Sequence, residues 1–382
     1  MAAVVTFFPV GNGDMTLIQL ESGRTILIDI NIRQPDGDVR DVAKDLRSRL
    51  RVDSNKRPYV DAMLLSHPDR DHCLGLEDNF HLGSLSQYND PGFQKIVIRE
   101  MWSSPMVFRR ASKNHTLCSD AKAWNKEARR RVNLFQERKS ADCGDRILIL
   151  GEDEDGKTNT LTEILVKSNG LITKIDGFKD ETFKGLLLAP MPKGTEDEEN
   201  TRSKNQSSVI IQFSLAYGAR SEACKFLSGG DAEVAIWERI WKDNKNTIQN
   251  IEYDLLQAPH HCSWHSLSWD SWSDKGEAVK VSQDARSALG QARTGAYIVA
   301  SSKKICDDDG DPPCVRAERE YKEILKNVNG IFVNTATHTD KGGAVPMEFE
   351  VAADGIILRR VDKKASVSAA PALVGAQPLW HG

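Results

Sequence analysis

The sequence has no apolar run of about 18 residues, which excludes a conventional membrane-spanning helix. Cysteine is sparse: seven residues, at 73, 118, 143, 224, 262, 306 and 314, scattered and odd in number. That pattern argues against a disulfide framework and for reduced thiols in a cytoplasmic setting. Cys306 and Cys314 are close enough along the chain to pair or to share a metal, but two free thiols are the simpler expectation. The opening Met1-Ala2-Ala3-Val4-Val5-Thr6-Phe7-Phe8 lacks the basic region and cleavage site of a secretion signal, and reads as a first strand.

What is present is a chain of 382 residues, 40% hydrophobic and 28% charged, suited to one large globular domain spanning 1–361 or a domain with an insertion. Its chemistry is concentrated at Leu64-Leu65-Ser66-His67-Pro68-Asp69-Arg70-Asp71-His72. Val60 to Leu65 reads as a buried strand, and the polar burst after it as a loop at the strand's carboxyl end, where open α/β sheets place their sites. His67 and Asp69 on one side of such a loop, with Asp71 and His72 on the other, can cradle two divalent cations roughly 3.5–4 Å apart.

Around that loop the pattern is α/β. Val4–Val10, Met15–Leu20 and Thr25–Ile30 read as three strands joined by two tight turns, an antiparallel meander. Val39, Val42, Leu46 and Leu50 fall at helical spacing, so 38–51 is expected to cover the sheet as an amphipathic helix. Asp29 closes the third strand, either as a cap or, near the metals, as a carboxylate orienting a ligand imidazole. From Arg99 to Lys139 there are eleven Lys or Arg against four Asp or Glu, a local charge of +7 in a chain of net charge -4. Its helix carries an apolar stripe of Trp124, Ala128, Val132 and Phe135, leaving Lys122, Lys126, Arg129 and Arg130 outside. This basic helical insertion (99–142) suits a polyanionic substrate, with Arg129 and Arg130 as contacts, or else a protein partner or plain solvent. Residues 193–204 are expected to form a mobile acidic loop and 362–382 a flexible tail.

Later blocks supply further ligands. Lys225 to Asp231 ends a strand in two glycines and a carboxylate, the glycines expected to allow a sharp turn and clear room for an ion. Pro259-His260-His261-Cys262-Ser263 follows the strand Tyr253–Ala258; adjacent histidines on an extended chain point apart, so one can bind metal while the other faces substrate. His265 reads as a loop residue rather than a ligand.

These blocks resemble the metallo-β-lactamase superfamily. His67 to His72 matches its His-x-His-x-Asp-His signature, with Asp69 where the second His usually stands. The likeness extends in more detail to one branch, the metallo-β-lactamase-like domain of ComEC-type DNA-uptake proteins. Pro9-Val10-Gly11-Asn12-Gly13-Asp14 resembles its "D-V-G-Q-G-D" turn, Gly23 to Asp29 its "G-x-x-x-L-I-D" strand, Asn205 to Ser208 its "N-x-x-S", and Pro259 to Ser263 its "P-H-H-G-S". The resemblance implies a four-layer αββα sandwich holding two divalent ions. Asp231 would bridge them, and His67, Asp69, Asp71, His72 and His260 would complete the ligand set. It places Asp71 and His261 in catalysis, with His260 and His261 exchangeable in role, and Asn205 and Ser263 at the substrate. Cys262 in place of Gly would either pack or narrow the pocket. The family's late "H-P" pair is absent after Gly295–Ser302, and no His lies between Pro190 and Asp231, where many members place a ligand. Asp69 shifts metal preference toward Mn²⁺ or Mg²⁺ while leaving Zn²⁺ open. The implied activity is phosphodiester hydrolysis of DNA, RNA or a nucleotide, by a soluble enzyme or by the nuclease subunit of a larger assembly, such as one directed against foreign DNA. The rivals are a lactone or thioester hydrolase and a non-catalytic partner-binding subunit.

Overall fold

The computed structural model describes residues 1–35, 39–92, 94–105, 116–152, 156–192 and 208–360. Asn205, the acidic loop and the tail lie outside them. The architecture is mixed α/β, with two large sheets and eight α-helices among the described residues.

Short, nearly continuous apolar runs generate the first sheet, most of their residues buried. Strands β1 (Val4–Phe7), β2 (Thr16–Gln19) and β3 (Thr25–Ile28) form the expected antiparallel meander. β4 (Pro58–Leu65), β5 (Ile96–Ser103) and β6 (Arg146–Leu150) then add in parallel beside β3. The second sheet repeats the plan: β7 (Phe183–Ala189), β8 (Ile210–Tyr217) and β9 (Arg220–Leu227) are antiparallel, and β10 (Tyr253–Gln257), β11 (Ala292–Ala300) and β12 (Ile331–Asn334) follow in parallel. The closing hairpin, β13 (Met347–Ala352) with β14 (Gly355–Leu358), returns to the first sheet and pairs with β1.

Three apolar cores hold these parts. One fills the space between the sheets, with Phe7, Ile28, Leu64 and Trp102 from the first meeting Phe213, Phe226, Leu255 and Val299 from the second. A second lies under helices α1 (Val42–Arg47), α2 (Arg70–Cys73) and α3 (Ser119–Arg138), and a third under α4 (Val234–Asn244), α5 (Gln283–Leu289) and α6 (Val315–Lys326). Helix α1 is shorter than its spacing predicts, because Asp41 accepts from the amide of Lys44 and sets the start there.

The basic helix α3 is built into the fold. Ala121, Trp124, Ala128, Val132 and Phe135 enter the outer core, as the stripe predicts. Of the two arginines named as substrate contacts, Arg130 joins an ion-pair network, its guanidinium 2.6 Å from Glu127 and 2.7 Å from Asp145. Arg131 is buried outright against Glu127 and the carbonyls of Ile98 and Arg146. Lys122, Lys126 and Arg129 are exposed. All seven cysteines are free thiols, Cys306 and Cys314 included; the sulfurs of Cys73 and Cys118 meet at 3.6 Å. No described helix is long and apolar enough to cross a membrane.

Candidate metal centre

The site forms where the carboxyl ends of β4, β9 and β10 come together between the two sheets. From the first sheet, β4 runs fully buried to Leu65 and releases Ser66 and His67. The single turn of α2 then lifts Asp71 and His72 back toward the sheet, with the His72 amide bonded to the Asp69 carbonyl at 3.1 Å.

Asp29 resolves in favour of the orienting role. It is fully buried at a positive φ of 53°, a conformation open to Asp at some cost in strain. Its Oδ2 lies 2.8 Å from His72 Nδ1 and accepts the Ser66 hydroxyl, which in turn lies 3.1 Å from His67 Nδ1. With the proton on Nδ1, each imidazole donates toward this carboxylate, directly or through Ser66, and both Nε2 atoms are left as lone-pair donors.

The second sheet contributes through two turns. Gly230 has a positive φ of 46°, as a sharp turn requires. Gly229 has a different reason: a Cβ there would stand 2.4 Å from the Gln257 carbonyl and 2.9 Å from Pro259 Cα. It makes room for the neighbouring chain rather than for an ion. After β10, His260, His261 and Cys262 all adopt left-handed φ values, 50°, 54° and 69°. The backbone is therefore not extended here, and the expected divergence of the two rings gives way to a tight turn in which both imidazoles face Asp231. Cys262 occupies a conformation that favours glycine, and its buried side chain packs with Trp264 and Leu267 in the third core rather than into the site.

Asp231 is the centre. Its Oδ1 lies 3.0 Å from His72 Nε2 and 3.5 Å from His261 Nε2; its Oδ2 lies 3.4 Å from His67 Nε2 and 3.7 Å from His260 Nε2. Asp71 flanks the first group, 3.3 Å from His261 Nε2, and Asp69 the second, 3.9 Å from His67 Nε2. The expected residues of the sixties, two-thirties and two-sixties are thus gathered. His261 is buried while His260 keeps 17% of its side chain exposed and Asp71 keeps 40%, so His261 is the less accessible imidazole.

Asp14 enters the site although the sequence marks it only as part of a turn. This carboxylate is 1% exposed, with Oδ1 3.6 Å from His261 Nδ1 and Oδ2 3.8 Å from His72 Nδ1. Among the described residues, Asp14, His72, Asp231 and His261 form a group able to hold a metal ion, with ligand atoms all within 4.8 Å of one another. The available signal is its place: an acid between two apolar strands, in the turn whose Gly13 amide and carbonyl reach His261 and Ser301.

The charges are mutually adjusted. Burial opposes ionisation of Asp231, but His72, His261 and His67 outweigh it and hold the carboxyl well below its usual range. Asp71 is lowered likewise, burial being overcome by His261 and His72. Burial also disfavours imidazolium at His72 and His261, yet Asp231 with Asp29 raises the former well above normal, and Asp231 with Asp14 and Asp71 raises the latter to about 10. His260 goes the other way, lowered by burial. Even so, the buried atoms His67 Nε2, His72 Nε2, His261 Nε2, Asp231 Oδ1 and both Asp14 oxygens have no hydrogen-bond partner. Buried polar groups left this way in one cluster are costly, and a cation held there would satisfy them.

Three other places singled out by the sequence lie outside the cluster. Ser263 is fully buried, and its hydroxyl accepts from the His265 amide as a local cap. The segment standing where the family carries "H-P" provides no ligand; its Pro312 carbonyl accepts from the Asn12 side chain and so fastens the turn before Asp14. His265 is a loop residue outside the cluster, 3.9 Å from Asp311.

No protein-family model matches the chain, and no curated protein matches it either.

Proposed function

We propose that this protein is a dinuclear metal-dependent hydrolase of metallo-β-lactamase type, similar to the ComEC branch, that cleaves phosphodiester bonds in nucleic acid or nucleotides. The observation that carries the reading is the division of the cluster by Asp231, whose two oxygens face different pairs of imidazoles. A carboxylate so placed could be shared by two cations at the spacing of dinuclear hydrolytic sites, roughly 3.5–4 Å. In this reading His72, His261 and Asp71 would hold one ion, and His67, His260 and Asp69 the other. Two sheets packed face to face, each with helices on its outer side, support the four-layer αββα sandwich. The mixed imidazole and carboxylate donors suit Zn²⁺ or Mn²⁺, with Mg²⁺ the harder alternative.

When bound, the ions supply an activated water and neutralise charge developing on the phosphoryl oxygens. The chain supplies the rest. Asp71, the most exposed acid of the cluster, stands at the mouth. His260, kept from the imidazolium form by burial and exposed along part of its ring, would hold the second ion next to the substrate. Exposed cations lie on the segments around the cluster: Arg70 between the two acids of the loop, Arg33 beside Gly11, and Lys303, whose amide is bonded to Asn12. With the exposed Lys122, Lys126 and Arg129, they favour a polyanion over a neutral lactone or thioester.

Metal analysis and a digestion panel of single-stranded and duplex DNA and RNA, comparing wild type with D231A, test this. The expected result is two divalent ions per chain and salt-sensitive cleavage that D231A loses. Protein that takes up no divalent metal, or D231A that cleaves as well as wild type, overturns the reading; lactone or thioester turnover alone overturns the substrate class.

A further inference from the structure

We infer that Asp14 is a positioning residue of the metal pair, its single carboxylate serving the Nδ1 edges of His72 and His261 together. This rests on the two-ion reading above and names which ion depends on Asp14.

The geometry separates the two edges of each ring. Nε2 of His72 and Nε2 of His261 both face Asp231 Oδ1, and the second also faces Asp71. Asp14 stands on the opposite edges, 3.8 Å and 3.6 Å from the two Nδ1 atoms. Although its oxygens fall within the group that could hold an ion, this side of the rings assigns Asp14 a place behind the ligands. A carboxylate buried this deeply without a hydrogen bond to either oxygen is costly unless nearby positive charge offsets it, and among the described residues that charge is offered by these imidazoles and what they bind. The two rings depend on it unequally. His72 already has Asp29 at 2.8 Å. His261 Nδ1 otherwise donates to the Ser301 carbonyl when protonated, or accepts from the Gly13 amide when bare, each at 3.2 Å, so Asp14 is the carboxylate at that edge.

The backbone keeps it there. The Asp14 amide donates to the Asp71 carbonyl at 3.2 Å, tying this turn to the metal loop. Gly13 before it has a φ of 141°, and a Cβ would stand 2.1 Å from the Asn31 side chain and 2.7 Å from the Asp71 carbonyl. The Ser301 hydroxyl closes the turn from the second sheet by donating to the Gly13 carbonyl at 2.7 Å.

Titration of chelator-treated wild type and D14N with Co²⁺, followed by visible spectroscopy, tests the assignment. Wild type should take two ions. D14N should keep one at wild-type affinity and bind the other about 10- to 100-fold more weakly, with wild-type bands once saturated. Two ions bound by D14N at unchanged affinity overturn the inference and leave the metal reading standing, whereas wild type binding none overturns the metal reading itself. Altered bands at saturation would make Asp14 a direct ligand, which also overturns it. If circular dichroism shows D14N unfolded, histidine-¹⁵N spectra of Zn²⁺-loaded wild type decide: both rings must keep a proton on Nδ1, and a bare Nδ1 on either overturns the inference.

Discussion

Glu100 lies in β5, buried well away from the metal cluster, and accepts from Trp102 Nε1 at 2.9 Å and from the Asp176 amide at 3.1 Å. Burial dominates these bonds and raises its carboxyl from 4.5 to about 7. The unfolded chain loses this proton near pH 4.5 while the folded chain retains it, so stability falls as pH rises between these values. E100Q keeps an acceptor oxygen and removes the titration. Relative to wild type it should gain about 3 kcal/mol between pH 4 and pH 8, read from urea unfolding at both pH values. A constant offset between the two proteins would refute the assignment. This residue is silent in the sequence because an isolated acid in a strand pattern gives no sign of which face it enters. Asp14 escapes notice for the same reason in reverse: a Gly-x-Gly-Asp turn reads as surface, and only tertiary packing turns its acid inward. His67, Asp71, His72 and Asp231 are legible because their chemistry is dense in sequence or sits at strand ends.

Two glycines separate backbone strain from backbone collision. Gly218, in the turn between β8 and β9, has a φ of 57° with nothing within 4 Å of the place a methyl would take, whereas Gly229 would drive a Cβ into the Gln257 carbonyl at 2.4 Å. G218A should therefore cost only about 1 kcal/mol, the left-handed penalty. G229A should cost about 2–3 kcal/mol and weaken metal uptake, since the Gly230 carbonyl beside it holds the His260 amide at 2.8 Å. Urea midpoints and Co²⁺ binding measure both effects, and equal stability losses would show that the collision relaxes. Elements with strong periodicity, such as the β1–β3 meander, the apolar stripe of α3 and the closing hairpin, are readable because side-chain period fixes which face is buried. The tight turn at His260–Cys262 is not, because Cys in a glycine conformation is imposed by its neighbours. Nor is the fate of Arg130 and Arg131: composition counts charges, but only the fold shows which of them meet Glu127.

At the level of the whole molecule, the cluster fastens one sheet to the other. Asp14, Asp29, His67, Asp69, Asp71 and His72 come from the first, and Asp231, His260 and His261 from the second. The order of the motif blocks makes this convergence legible; the pairing of β13 with β1, which returns the chain end to the first sheet, is not, since strand partners leave no local trace. Because the site spans both sheets, ions that bind it stabilise their packing, by about 4 kcal/mol for one ion at a thousandfold excess over its dissociation constant. The increment should depend on pH in a defined direction. Without metal, His261 holds its proton to about pH 10 against 6.5 in the unfolded chain, so its stabilising contribution is complete below pH 6.5 and is lost as pH rises toward 10. Metal displaces that proton and removes the loss. The rise in Tm on adding Zn²⁺ should therefore be larger at pH 9 than at pH 6.5, and D231A should show little rise at either. A rise that shrinks with increasing pH would mean that protons and metal do not compete for these imidazoles.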